Sequence, residues 1–332
     1  SLASELVQLL QRDEAAEDTG FLDYESLPST HAYEPQETNP AQAELPEHLE
    51  NYEIIEKLGG GGMGNVYKAR QRFTKSFVAL KMIRSDWLEQ MSDERRQEAI
   101  QQFHMEVQSA AKLKHPNIVR ILYMGETNGA PYYAMELVDG ESLADILKRE
   151  GPLGNLHAPR RIAEVAHDVH HAHHHGILHR DIKPANVLYD RVDRVAKIAD
   201  FGLAELQDIE TAASNFTVAG TIPYMPPELF GDTPESTIAG DMYGLGATLY
   251  KLLTGHHPYE GESSKCSQRE PTTPPRQLAP SVSKQLEAIC LKCLADRTED
   301  RYASASELAR ELRDYLEKPK LAAQMATTSK SV

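Results

Sequence analysis

The stretch Leu58–Val66 reads LGGGGMGNV and stands between NYEIIEKLG and YKARQ, both of which read as strand. Glycine reaches backbone angles that other residues avoid and leaves no side chain in the way, so such a stretch suits either a joint between domains or a backbone cradle for phosphate. Gly59, Gly61, Gly64 and Val66 fit G-x-G-x-x-G-x-V. A P-loop would close on Gly-Lys-Ser/Thr before a helix, and a dinucleotide-binding fingerprint would also open a helix. Here Val66, Tyr67, Lys68 and Ala69 continue as strand. That leaves a glycine loop between two strands.

The rest of the chain sorts by texture. SFVALKMI predicts a third strand, the charged run from Asp86 to Leu113 a helix, and ILYMGET and PYYAMELV two more strands around a turn at Asn128 and Gly129. After Ser142 the pattern is mainly helical to Leu316. A small strand-rich unit followed by a larger helix-rich one predicts two lobes joined by a hinge near Glu136 to Gly140. Residues 1–50 hold twelve acids against the single Arg12, eleven of the fifteen net negative charges, together with four prolines. That composition predicts an acidic, largely disordered segment with one short amphipathic helix near its start. The near-neutral remainder lacks the basic face that nucleic acid would require. No apolar run approaches the roughly 18 residues of a membrane span, and SLASELVQLL lacks the cationic start of a signal peptide.

Further motifs decide what the glycines serve. Lys81 ends the strand VALK and Glu106 lies on the helix that follows; singly, each reads as well as an ordinary surface residue. The segment LHRDIKPANVL is far more specific: His179, Arg180, Asp181, Lys183 and Asn186 fit H-R-D-x-K-x-x-N, and Asp200, Phe201 and Gly202 follow as D-F-G. Over about residues 52–317 the chain resembles a eukaryotic-like bacterial serine/threonine protein kinase. GGMGNVYKA and LEAICLKCL add a likeness to the receptor-like kinases of planctomycete-type bacteria.

The resemblance implies an α+β fold, the two-lobed kinase architecture, with a β-rich N-lobe at 51–136, a helical C-lobe at 141–317 and a tail or linker at 318–332. It implies transfer of phosphate from ATP with Mg2+, or Mn2+ as an alternative, to protein Ser/Thr hydroxyls. Lys81, held by Glu106, would bind the α and β phosphates, and Asp200 and Asn186 the metal. Asp181 would accept the hydroxyl proton and Lys183 would neutralise the γ-phosphate. Leu58 and the three glycines would cover the nucleotide. Val66 and Ala79 would lie above the adenine and Leu188 below it, with Met135 as gatekeeper and the backbone of Glu136 and Val138 on its polar edge. The expected setting is cytoplasmic, which allows the chain to be the cytoplasmic part of a longer membrane-anchored protein. Expected partners are protein substrates and a transient second copy for autophosphorylation. Arg180 needs an anion, which a phosphorylated Thr217 would supply, with Thr211 and Ser214 as alternatives. A nucleotide-binding scaffold without turnover and a small-molecule kinase are the rival readings.

Several features read as structural. Cys290 and Cys293 form a lone C-x-x-C on an amphipathic helix, expected to be buried packing rather than zinc or redox chemistry. The run AHDVHHAHHHGILH has histidine pairs at i,i+4, but no acidic or cysteine ligand converges on it in sequence, so a solvated histidine-rich face is expected. The family's A-P-E stands here as Pro226, Pro227 and Glu228, which should keep an ion pair with Arg301. The polar stretch EGESSKCSQREPTT stands where relatives place a small docking helix.

Overall fold

The computed structural model describes residues 49, 51–61, 64–201, 222–230, 235–259 and 272–328, with side chains to 318. Most of the acidic segment, the candidate phosphosites and most of EGESSKCSQREPTT lie outside them. Five antiparallel strands, β1 Tyr52–Gly60, β2 Gly64–Gln71, β3 Phe77–Ile83, β4 Ile121–Thr127 and β5 Ala130–Glu136, form one sheet in the order β1-β2-β3-β5-β4. Asn128 and Gly129 make the β4–β5 turn with φ of 49° and 75°, the positive angles that a two-residue hairpin demands.

The two-residue period of a strand sends alternate side chains to opposite faces. Val78, Leu80 and Met82 of β3 join Tyr67, Ala69, Tyr132 and Ala134 in one apolar cluster, which also takes in Leu49. Ala79 and Ile83 face the other way, into a cluster with Tyr133, Met135, Phe103 and Val107. Lys81 shares the Ala79 face, so alternation alone turns its ammonium toward the helices.

The expected single helix from Asp86 to Leu113 is two: α1 Ser85–Glu89 and α2 Asp93–Ala110. Ser92 breaks the run because its side chain accepts from the Arg95 N–H, and Asp93 and Glu94 complement the positive end of the new helix.

The helical part holds α3 Leu143–Glu150, α4 Gly154–His174, α5 Ile238–Thr254, α6 Pro275–Leu278, α7 Lys284–Cys293 and α8 Ala305–Thr328, with a small sheet of β6 Gly140–Ser142, β7 Val187–Asp190 and β8 Val195–Ile198. From Asp241 to Thr254 every residue of α5 except Lys251 is buried, as expected of a helix apolar on all sides. Cys290 and Cys293 are fully buried against it, and burial pushes both thiols up, so they pack as small apolar groups. The chain divides after Arg313, and the segment 318–332 is helical as far as Thr328.

Candidate active site

The segment 115–119 stitches the two parts together: Ile198 donates to Asn117 O and Val119 to Ile198 O, each at 2.9 Å. This brings the residues just after β8 beneath the main sheet. Lys81 Nζ donates to Asp200 Oδ2 at 2.7 Å, and the Tyr133 hydroxyl donates to Oδ1 at 2.6 Å. Burial alone would raise the Asp200 carboxyl, but Lys81 and Tyr133 outweigh it and hold the group below the usual carboxylate range. Burial pushes the Tyr133 phenol well above its ordinary value, so it stays a donor.

The expected Lys81–Glu106 pair is corrected by this geometry. Glu106 is buried on α2, where Oε1 accepts from Gln102 Nε2 at 3.0 Å and lies 3.9 Å from Arg180. On α2 Glu106 lies toward the loop that carries Arg180, and Asp200 is the carboxylate that Lys81 bonds.

That loop rests on Asp241, in the first turn of α5. Its Oδ2 accepts from the His179 N–H at 2.9 Å and from His173 Nε2 at 2.7 Å, while Oδ1 accepts from the Arg180 N–H at 2.7 Å. Arg180 has φ 68° and Asp200 φ 64°, a left-handed conformation uncommon outside glycine. Charge-assisted bonds from a buried carboxylate hold the first of these strained turns. Its consequence is the placement of Asp181. Asp181 Oδ2 accepts from Lys183 Nζ at 2.8 Å and from Asn186 Nδ2 at 3.0 Å.

Asn186 O accepts from the Ala199 N–H at 2.9 Å, which sets Asp200 beside Asn186. With its amide nitrogen committed to Asp181, Asn186 can offer a cation its Oδ1. An ionised Asp200 supplies a second oxygen, so the donor set suits a hard divalent ion. His179 accepts the Asp181 N–H on Nδ1 at 3.2 Å and donates from Nε2 to Ala199 O at 2.9 Å. Both ring nitrogens are therefore engaged, burial pushes the imidazole below its ordinary pKa, and the ring packs on Phe201 with centroids 4.6 Å apart. This is a structural histidine.

Val66, Ala79, Met135, Val138 and Leu188 meet in a single apolar cluster, with Ala79 opposite Met135 across β3 and β5. The Glu136 N–H donates to Arg120 O at 2.9 Å, and its side chain pairs with Lys197 at 3.1 Å. Gly59 stands opposite Val66, and the Gly61 N–H donates to Gly64 O at 2.9 Å. A Cβ at Gly64 would lie 2.6 Å from Met82 O, whereas Gly59 and Gly61 have open space around them. Gly64 is thus required by packing, and the other two leave the hairpin's backbone approachable. Leu58 is exposed beside them.

Arg301 meets Glu228 with two bonds of 2.7 Å, as the PPE reading expects. Sequence reasoning missed Tyr133, Lys197 and Asp241. Only Asp241 left a signal, as the lone acid in the otherwise apolar IAGDMYGLGATLY. The histidine run is corrected in part: His173 is buried on Asp241 rather than solvated. Among the described residues no helix is long and apolar enough to cross a membrane.

The family described as Protein kinase domain matches residues 52–312. The chain is 38% identical over 279 residues to the serine/threonine-protein kinase PknB of Mycolicibacterium smegmatis, which covers 80% of this chain and 43% of that protein. It is 36% identical over 267 residues to the serine/threonine-protein kinase PrkC of Bacillus subtilis, covering 79% and 40%. The chain therefore spans less than half the length of these curated relatives. Among solved structures, the Mycobacterium tuberculosis PknI kinase domain superposes with a TM-score of 0.63 at 26% identity, covering 80% of this chain and 96% of that one.

Proposed function

Since this chain belongs to the protein kinase family, we propose that it transfers the γ-phosphate of ATP, with Mg2+ or alternatively Mn2+, to serine and threonine hydroxyls of proteins in the cytoplasm. The observation that carries the reading is the Asp181 carboxylate, held by Lys183 and Asn186 in the cleft where Lys81 and Asp200 meet. Phosphoryl transfer is mainly positioning and charge neutralisation, and these are groups of that kind. Asp181 accepts the proton of the incoming hydroxyl, and Lys183 neutralises charge on the transferred phosphoryl. Asn186 Oδ1 and Asp200 would hold the metal, which would supply charge neutralisation to the phosphates. Lys81 exchanges Asp200 for the α and β phosphate oxygens. The apolar cluster from Val66 to Leu188 takes the adenine, with the backbone of Glu136 and Val138 on its polar edge, and Leu58, Gly59, Gly61 and Gly64 cover the phosphates.

Thr217, outside the described residues, is our choice for autophosphorylation by a transiently associated second copy. A phosphate there would bring nearly two negative charges to the loop that carries Arg180. Incubation with labelled ATP, Mg2+ and a protein acceptor tests the activity: label enters serine and threonine with the wild type and falls to background with Asp181→Asn. Equal labelling by the two would remove the assignment. Peptide mass spectrometry should find phosphate on Thr217, and Thr217→Ala should turn over more slowly.

A further inference from the structure

Elsewhere on α4, a second group of chemistry-bearing residues meets that the kinase reaction does not use. His167 and Asp168 come from α4 and His115 from the segment between α2 and β4, so residues some fifty positions apart in sequence are neighbours in space. One ligand atom from each lies within 4.8 Å of the others. Asp168 Oδ1 is 3.4 Å from His115 Nδ1 and 3.6 Å from His167 Nδ1. A third imidazole, His171, one turn along α4, has its ring centroid 4.9 Å from that of His115.

Asp168 is fully buried, with the Asn117 side chain as its hydrogen-bonding neighbour and His115 and His167 beside it. His115 Nδ1 accepts from the Asn117 N–H at 3.3 Å, so that atom carries no proton, and a metal bound there would displace this bond. A buried carboxyl facing an imidazole nitrogen out of water is costly unless a proton or a metal cation lies between them. Apolar packing would have been served better by an apolar residue at position 168.

We propose that His115, His167 and Asp168 form a site for a divalent transition-metal ion, with Zn2+ the ion the donor set suits and His171 or water completing the shell. Two imidazoles and a carboxylate are an ordinary zinc set, and imidazole selects such ions over Mg2+. Tetrahedral coordination with bonds of about 2.1 Å needs ligand atoms roughly 3.4 Å apart. The carboxylate and His115 already meet that spacing, and His167, whose side chain is 56% exposed, is free to rotate in. The ion would tie segment 115–119 to α4, and this segment is bonded to β8 just before Asp200.

The full chain, freed of metal with a chelator, is dialysed against Zn2+ in a large excess of Mg2+, and the bound metal is measured by elemental analysis. One equivalent is expected, with a higher thermal midpoint, and Co2+ in its place should give the visible absorption of a tetrahedral nitrogen-oxygen site. His167→Ala, at an exposed position that does not endanger folding, and Asp168→Asn should each weaken binding by more than about tenfold, since even outer-shell partners of metals cost that much. The double variant His170→Ala/His174→Ala removes the neighbouring surface pair, whose Nε2 atoms lie 3.1 Å apart, and should bind as the wild type does. No retained equivalent, or an equivalent lost in the His170/His174 variant and kept in His167→Ala, would overturn the site.

Discussion

Lys81 illustrates how much one residue's role depends on which carboxylate it meets. The preorganised charge it offers to phosphate is worth a factor of about a hundred or more in rate, so Lys81→Met should lose at least that much turnover in a steady-state assay. The same change removes the main cation beside Asp200. A carboxyl with a depressed folded pKa contributes stability above its unfolded value, near 3.9, and loses it as the pH falls through the folded value. Asp200 is such a group, so wild-type stability includes a contribution at pH 7 that fades in acid. Thermal midpoints measured from pH 7 down to 3 should therefore show a smaller acid-side drop from Asp200 in Lys81→Met, starting from a lower midpoint. Unchanged turnover would sink the phosphate role, and an unchanged acid arm would sink the pairing.

Helix α5 sets the tolerance of the catalytic loop at the scale of an element. Gly244 lets Ile182 of that loop approach, a Cβ there meeting the Ile182 Cβ at 3.1 Å, and at Gly246 a Cβ would lie 2.3 Å from the Cβ of Cys293. Alanine in place of glycine in a helix ordinarily gains about 1 kcal/mol. At Gly246 that gain is opposed by overpacking between two helices, which costs about 1–3 kcal/mol. Gly246→Ala should therefore be destabilised in urea unfolding. A net gain would mean that α7 shifts freely, contrary to the fully buried Cys290 and Cys293 on its inner face.

Long-range charge pairs decide what the molecule as a whole can lose. The Arg301 side chain is wholly buried and pairs with Glu228 across 73 positions of sequence. Glu228→Gln removes the charge and leaves the guanidinium one amide oxygen beside the carbonyls of Ala239, Ala295 and Asp296. Breaking a buried pair from one side costs about 3–5 kcal/mol, and the remaining acceptors put this one near the lower figure, a loss that denaturant unfolding will register. By contrast, the composition of residues 1–44 gives no reason to expect them in the core, so a chain cut to Leu45–Lys320 should keep its cooperative melt and its turnover. Cutting no deeper than Leu45 matters, because Leu49 is part of the core beneath β1 and β2.

The glycine hairpin, the strand face that Lys81 shares with Ala79, the Asn128–Gly129 turn and the catalytic loop were all legible in the sequence. Each depends on period, spacing or backbone preference, which are local properties of the chain. Local signals even mark the break at Ser92, a capping residue followed by two acids, although the charged run around it masked them. Partner choice is a different matter. Whether Lys81 pairs with Glu106 or Asp200, whether Asp241 supports the loop at Arg180, and whether His115 meets Asp168 all depend on distances of a few ångströms between segments far apart in sequence. Coulomb and hydrogen-bond energies change steeply over that range, and only the packing of α2, α4 and α5 around the sheets sets it.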